Sequence, residues 1–199
     1  MFVIGLTGGI GTGKSTVAEV LKEQGAPILS ADLVGHEVYL PGRPGYHAIL
    51  AEWPEVRADD GTIDRKKLGG IVFGDPKELA KLNAITHPRM KGMMREKLVD
   101  LEKTGAAVAV LEAALLLEAR WDDLADEIWV TDTPPEIAAK RVSQRSGLDE
   151  DQVMERIRAQ MSRDERKKRA KVVIDTSRDM ESTKRQTLEE WRKLQSRLR

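Results

Sequence analysis

Short apolar runs alternate with amphipathic stretches along most of this chain. Between the runs, apolar positions recur three and four residues apart, which is the spacing of amphipathic helices. Strands that alternate with helices form βαβ units, so the pattern predicts an α/β fold built on a parallel sheet. The predicted strands are FVIGLT at residues 2–7, APILS at 26–30, AAVAVL at 106–111, EIWVT at 127–131 and VVI at 172–174.

Prolines, glycines and capping residues mark the ends of the predicted helices. The first helix is expected from Lys14 to about Gln24. Asp75 is expected to cap a second helix, with Glu78 three residues later completing the cap. Pro88 is expected to break or kink that helix, and a further helix would run on to Gly105. Other helices are predicted near residues 46–53, 135–146 and 149–161 and at the C-terminus.

Composition is that of an ordinary globular protein. The 199 residues include 33 Lys plus Arg and 33 Asp plus Glu, so the formal net charge is zero. A protein that binds nucleic acid strongly needs a basic surplus, so no nucleic-acid partner is expected. The absence of cysteine excludes disulfides and thiolate metal sites. With no long apolar run and no leader pattern, we expect no membrane contact and a cytoplasmic location for one domain over residues 1–199.

The stretch LTGGIGTGKST at residues 6–16 carries the most specific chemistry. Gly8, four further residues and then Gly13-Lys14-Ser15 match the G-x-x-x-x-G-K-[ST] pattern, between a predicted strand and a predicted helix. Glycines allow the backbone N–H groups to converge on phosphate oxygens, and the helix N-terminus adds positive charge. Lys14 would bind the β- and γ-phosphates and Ser15 would bind Mg²⁺. The alternative is a glycine-rich turn that binds nothing.

Phosphate-binding loops occur in kinases, GTPases and motors, and the rest of the chain favours a kinase. The guanine-binding pattern N-K-x-D is absent, and the chain is short for a motor. A small-molecule kinase must exclude water, which a closing lid rich in arginine achieves. The candidate lid is residues 141–170, in which Arg141 and Arg145 share a helix face. A solvated charged surface is the alternative for both arginines, and more so for residues 166–169.

Three further residues stand at positions where chemistry is expected. Asp32 follows the second strand, and ligands gather at the carboxyl ends of parallel strands, so it would orient or deprotonate an attacking hydroxyl. Capping the next helix is its alternative role. Glu112 ends the third strand and would hold a water on Mg²⁺ or mark the acceptor site, unless it is structural. His87, before Pro88, is a weaker candidate because a lone histidine is more often structural.

Several stretches, which follow one another in the same order as in the family, resemble the dephospho-CoA kinases. They are VIGLTGGIGTGKSTVA, GAPILSADLVGHEV, PGRPGYHAI, ITHPRM, VLEAALLLE, QRSGLDEDQVMERIRAQM and KVVIDTS. The resemblance covers most of the chain, and the S-A-D, T-H-P and L-L-x-E elements are more specific than the loop. It departs from the family at Ser30, at Ala114 and Leu117 beside the acceptor element, and at Thr176, near the expected position of the nucleotide base.

The resemblance implies transfer of the γ-phosphoryl group of ATP to the ribose 3′-hydroxyl of dephospho-CoA, which gives coenzyme A and ADP. It also implies a three-layer P-loop kinase core with a five-stranded parallel sheet, a helical acceptor-binding segment at about 33–105 and a helical lid at about 141–170. The implied catalytic residues are Asp32, Lys14, Arg141 and Arg145. The implied ATP-binding residues are Gly8, Gly9, Ile10, Gly11, Thr12, Gly13, Lys14, Ser15 and Thr16, and the acceptor-binding residues are Asp32, His87, Leu115, Leu116 and Glu118.

Two rival functions follow from the same loop. A nucleoside monophosphate kinase would prefer CMP, UMP or AMP as the acceptor. A nucleotide-binding regulator would bind ATP and signal to a partner protein without phosphoryl transfer. Under the kinase hypothesis the partners are ATP, dephospho-CoA and Mg²⁺, and the protein is a monomer or a small homo-oligomer.

Overall fold

A computed structural model describes residues 1–198 of the chain. Five strands form one sheet in the order β2-β3-β1-β4-β5, and the registered pairs β1–β3, β1–β4 and β4–β5 are parallel. The predicted five-stranded parallel sheet is therefore confirmed. The strands are β1 (Phe2–Gly8), β2 (Ile28–Ser30), β3 (Val108–Glu112), β4 (Glu127–Asp132) and β5 (Val172–Asp175).

Nine α-helices lie within the described residues, together with two short 3₁₀ turns at Pro54–Val56 and Asp122–Leu124. Most follow the predicted boundaries within a few residues, because capping residues are local signals. The helices are α1 (Lys14–Glu23), α2 (Ala31–Val38), α3 (Pro44–Glu52), α4 (Arg65–Val72), α5 (Pro76–Lys103), α6 (Pro135–Ser146), α7 (Glu150–Arg158), α8 (Arg163–Arg169) and α9 (Met180–Leu198).

Backbone contacts divide the chain into two units, one with residues 1–29 and 100 onward and one with residues 30–99. The first unit contains nearly all of the sheet, and its core is formed by apolar side chains of four strands with α1 and α9, including the fully buried Trp129. The second unit has its own core around Ile49 and Val56. One domain with an acceptor-binding segment and a lid stays a prediction.

The expected break of the helix at Pro88 is wrong, and the alternative of a kink there stays a prediction. Helix α5 runs without interruption from Pro76 to Lys103 and includes Pro88. A proline inside a helix removes one hydrogen bond and displaces carbonyl groups one turn earlier. The guanidinium of Arg89 donates to the carbonyl oxygen of Ile85 at 2.5 Å, in the turn before the proline. The neighbouring hydroxyl of Thr86 donates to the carbonyl of Leu82 at 2.8 Å.

The predicted cap at the start of α5 is only partly formed. Asp75 accepts from the N–H of Lys77 at 2.8 Å, as expected for a cap, but Glu78 instead accepts from the indole N–H of Trp53.

The charged stretch at 163–171, for which no helix was predicted, forms α8. A reciprocal capping box between Ser162 and Glu165 starts that helix. Its S-x-x-E signature is present in the sequence and could have indicated the helix.

Candidate active site

The glycine loop connects β1 to α1 as its pattern predicts. Gly11 and Gly13 both have φ of 74°, a left-handed backbone conformation that residues other than glycine rarely adopt. A β-carbon on Gly8 would clash with the hydroxyl groups of Thr12 and Thr131. Gly13 directly precedes Lys14, so the loop ends at the N-terminus of α1. Its backbone N–H groups therefore lie beside the positive end of the helix dipole, where an anion is stabilised.

Buried threonine hydroxyls hold the loop to the ends of the strands. The Thr12 hydroxyl lies 2.8 Å from the carbonyl oxygen of Gly9 and 2.7 Å from the hydroxyl of Thr131. The Thr176 hydroxyl donates to the carbonyl oxygen of Thr12 at 2.7 Å, and that of Asp132 lies 3.1 Å away. These contacts preorganise the loop, so that a ligand need not order it.

Lys14 and Glu112 form an ion pair at the carboxyl end of β3. The ammonium nitrogen lies 2.9 Å from Oε1 of Glu112, and both side chains are more than four-fifths buried. The pair balances the Lys14 charge and gives Glu112, a candidate metal-water or acceptor residue, a direct contact with the loop lysine. Ser15 is exposed in the first turn of α1, with its hydroxyl accessible to a ligand.

A cavity of about 240 Å³ lies beside the loop and is lined by Gly13, Thr16, Arg141 and Thr176, among others. One guanidinium nitrogen of Arg141 donates to the carbonyl oxygen of Thr176 at 2.8 Å. Arg145 is exposed and forms no hydrogen bond or ion pair among the described residues. The two arginines therefore have different surroundings although they share a predicted helix face, and only Arg141 lines the cavity.

The α7–α8 segment contacts the loop directly, which sequence reasoning missed. The side-chain oxygen of Gln160 accepts from the backbone N–H of Ile10 at 3.0 Å. The Ile10 side chain packs on the apolar cluster formed by α6 and α7, which includes Val142 and Val153. One guanidinium nitrogen of Arg166 lies 3.2 Å from the position that a β-carbon on Gly9 would occupy. The α7–α8 segment is thus joined to the loop by polar and apolar contacts.

Asp132 forms a second link between the sheet and the α7–α8 segment. It ends β4, is 6% exposed, and accepts from Arg163 at 2.5 and 2.8 Å. The ammonium group of Lys167 lies 2.7 Å from Oδ2, an oxygen that also accepts from Arg163. Burial raises the pKa of Asp132, but the hydrogen bonds from Arg163 and Lys167 outweigh burial and leave that pKa below its ordinary value.

The remaining predicted residues have diverse environments. Asp32 is exposed in the first turn of α2, where Ser30 and not Asp32 is the N-cap residue, so its alternative role as the cap is wrong. His87 is half-buried in α5, and burial lowers its pKa. Leu115 is exposed, whereas Leu116 is fully buried close to Gly5 in β1. Leu116 therefore packs in the core.

Within residues 1–198, no cluster of three or more His, Cys, Asp or Glu side chains forms a metal site. The exposed hydroxyl of Ser15 at the N-terminus of α1 fits a Mg²⁺ ion whose other ligands are phosphate oxygens and water. In the same part of the chain, no helix combines the length and the apolar character that crossing a bilayer requires.

Comparisons with known proteins agree with this geometry. A dephospho-CoA kinase of Carboxydothermus hydrogenoformans is 44% identical over 187 residues, which is 94% of this chain and 91% of that protein. The solved structure of a dephospho-CoA kinase from Campylobacter jejuni matches with a TM-score of 0.73 and 25% identity, over 96% of each chain. A shikimate kinase from Bacteroides thetaiotaomicron shares the fold at a TM-score of 0.57 and 14% identity over 98% of each chain.

The family model described as dephospho-CoA kinase matches residues 2–182, most of the chain. That range includes the glycine loop, Asp32, the Lys14–Glu112 pair and the α7–α8 segment. A phosphate-binding loop alone would leave several classes of kinase open, but the family match covers the loop and the segments around it together. The chain belongs to the dephospho-CoA kinase family and is a kinase.

Proposed function

We propose that this chain transfers the γ-phosphoryl group of ATP to the ribose 3′-hydroxyl of dephospho-CoA and so completes coenzyme A. The observation that carries this proposal is the preorganised glycine loop with Lys14 at its end, in a chain that matches the family over residues 2–182. The cavity of about 240 Å³ beside Gly13 and Arg141 is where the nucleoside of ATP would bind.

In the transfer, the bond from the γ-phosphorus to the bridging oxygen breaks, and a bond from the γ-phosphorus to the 3′-oxygen forms. The electron pair of the broken bond stays on the terminal oxygen of ADP. Backbone N–H groups of the loop over residues 8–16 that have no acceptor within the protein, together with the ammonium group of Lys14, would donate to the phosphate oxygens. Because this reaction requires little covalent chemistry from the protein, positioning and charge stabilisation would supply most of the rate.

The proton of the attacking hydroxyl would pass to Asp32. Its carboxylate is exposed and uncommitted to capping α2, so it is free to act as a base. The family resemblance assigns His87 and Leu115 to acceptor binding, and the side chain of Leu115 is exposed. Leu116 would act on the acceptor only indirectly, by packing beneath that segment.

Arg141 would line the nucleotide site rather than reach the transferred group, because two backbone carbonyl groups hold its guanidinium in the cavity wall. Arg145, which has no such contacts, would be free to approach the phosphates when substrates bind.

Ser15 would hold a Mg²⁺ ion that arrives with ATP. The ion would neutralise charge on the β- and γ-phosphates. Glu112 lies next to Lys14 and would orient a metal-bound water or share the charge of the lysine. A cytoplasmic location, and a monomer or small homo-oligomer, complete the proposal.

The test is ADP release with ATP, Mg²⁺ and a panel of acceptors that contains dephospho-CoA, adenosine, AMP, CMP and UMP. We expect fast release only with dephospho-CoA, with coenzyme A as the product. Faster release with a nucleoside monophosphate would overturn the acceptor assignment and leave the loop assignment intact. ATP binding without transfer to any acceptor would favour a nucleotide-binding regulator.

Two variants test the residue roles. Asp32→Asn should leave ATP binding intact and lower kcat about 100-fold or more, whereas Asp59→Asn, at an exposed loop position, should not change it. A loss of only a few-fold in Asp32→Asn would mean that this carboxylate is not the base. Lys14→Ala should weaken ATP binding and turnover together, and unchanged values would contradict the loop assignment.

A further inference from the structure

Arg166 differs from every neighbouring cation of α8. It lies in the charged run RDERKKRAK, a composition typical of a solvated surface. The side chains of Lys168 and Arg169 are exposed, as expected for such a surface, but Arg166 is only 5% exposed. A buried arginine requires a partner or a function, because removing a guanidinium from water is costly.

The partner of Arg166 is Glu118, and their pairing is incomplete. One terminal nitrogen of the guanidinium donates to Oε1 of Glu118 at 2.6 Å. The Nε donor of Arg166 and the Oε2 acceptor of Glu118 are both buried and make no hydrogen bond in the described part of the chain. A side-on pair with two parallel hydrogen bonds would have used both atoms. The observed contact therefore leaves donor capacity on Arg166 unused.

The same guanidinium lies beside the phosphate-binding loop. A second terminal nitrogen of Arg166 is next to Gly9, and the residue lines a small cavity of about 40 Å³ together with Gly9 and Thr12. Thr133 lines the same cavity, and its buried hydroxyl also has no hydrogen-bond partner. Unmatched donors beside converging backbone N–H groups are the chemistry of an anion site.

We infer that Arg166 is a catalytic residue whose guanidinium donates to the phosphate oxygens of ATP, and that Glu118 is a positioning residue that holds Arg166 over Gly9. The inference rests on the proposed function, because it assigns a role within the same phosphoryl transfer. Arg166 gains and loses no proton and forms no covalent bond. It stabilises the negative charge that spreads over the γ-phosphoryl oxygens in the transition state.

This assignment differs from the one that the family resemblance implies for Glu118. If Glu118 binds the acceptor, removing its charge should raise the KM for dephospho-CoA. If Glu118 positions Arg166, the same change should lower kcat and leave that KM unaltered. The steady-state constants of one variant therefore separate the two roles.

The experiment compares Arg166→Met, Arg166→Lys and Glu118→Gln with Arg169→Met, an exposed control on the same helix. We expect kcat to fall about 100-fold or more in Arg166→Met, with partial recovery in Arg166→Lys, which keeps the charge without the planar fork. Glu118→Gln should lower kcat about 10-fold without a change in the KM for dephospho-CoA. The control should retain wild-type constants.

A second readout does not depend on the acceptor. ADP with aluminium fluoride imitates the transferring phosphoryl group, so Arg166→Met should bind that complex about 100-fold more weakly and ADP alone normally. Equal affinity for the complex in wild type and in folded Arg166→Met or Arg166→Lys would overturn the catalytic role. A raised KM for dephospho-CoA with normal kcat in Glu118→Gln would overturn the positioning role.

The proposed function fails separately from this inference. If the wild-type chain phosphorylates a different acceptor, or no small acceptor, the proposed function is wrong, but the aluminium fluoride measurement still decides whether Arg166 contacts the phosphoryl group. If dephospho-CoA is the acceptor and Arg166→Met behaves as Arg169→Met does, only the inference is wrong.

Discussion

Replacing Asp132 with asparagine should lower the free energy of unfolding and weaken its dependence on pH in the acid range. The carboxylate is buried at the end of β4 and accepts from Arg163 and Lys167 on α8. The asparagine side chain has nearly the same shape but carries no charge. The substitution therefore tests the ion pairs with little change in packing.

The expected loss of stability follows from how deeply Asp132 and its two cationic partners are buried. Removing one member of a fully buried pair costs about 3–5 kcal/mol. Here the side chains of Arg163 and Lys167 are 43% and 35% exposed, so each cation regains water when the anion is lost. Exposed pairs contribute about 1 kcal/mol or less. Between these limits we expect a loss of about 2 kcal/mol in the free energy of unfolding, or about 4–8 °C in Tm for a chain of this length.

The pH dependence has a defined sign. The folded-state pKa of Asp132 lies below the ordinary value of 3.8, so its ion pairs contribute fully at pH values above 3.8. As the pH falls through 3.8, the unfolded chain binds a proton first, and the wild-type advantage declines until the folded carboxyl also protonates. The difference between wild type and Asp132→Asn should therefore be equal at pH 7 and pH 5 and smaller at pH 3.

Urea unfolding of both proteins at the three pH values measures this difference, with Asp59→Asn as a matched change of an exposed aspartate. A difference below about 0.5 kcal/mol at pH 7 would refute the argument, because it is within the range of ordinary surface substitutions. So would a difference that stays constant down to pH 3, since the effect would then not depend on ionisation.

Three further outcomes are expected. Gly11→Ala should destabilise the loop by more than about 1 kcal/mol, because φ is 74° there and a β-carbon would lie 2.6 Å from the carbonyl oxygen of Ala138. A thermal melt equal to wild type would contradict this. Thr176→Val should cost about 1–3 kcal/mol by leaving the Thr12 carbonyl unpaired, whereas Thr176→Ser should restore most of the loss in urea unfolding. NMR titration of His87 should give a pKa below 6.5, because burial disfavours its charged form, and a value at or above 6.5 would show that its charge is stabilised.

Local features of this protein were predictable from sequence because their causes lie within a few residues. The glycine loop between β1 and α1 needs only its glycines, the preceding apolar run and the helix that begins at Lys14. The ends of α1 and α6 follow from nearby Gly25 and Gly147. Pro88 is the exception, since α5 continues through a residue that is expected to interrupt a helix.

Most of the site's long-range contacts were not predictable. Thr12 meets Thr131 across 119 residues of chain, and Glu118 meets Arg166 across 48. The resemblance to the family indicated Glu118, but the L-L-x-E element gives no information about its partner, Arg166.

The sequence by itself determined the fold class, the phosphate-binding loop and the family, because periodicity, capping and motif spacing are properties of contiguous residues. Only the tertiary structure decided which cation of the run RDERKKRAK turns inward, and that Asp132 anchors the segment. Consecutive charged residues look alike in composition. Their different roles arise from the side of α8 that faces the sheet, which depends on packing between elements that are distant in the chain.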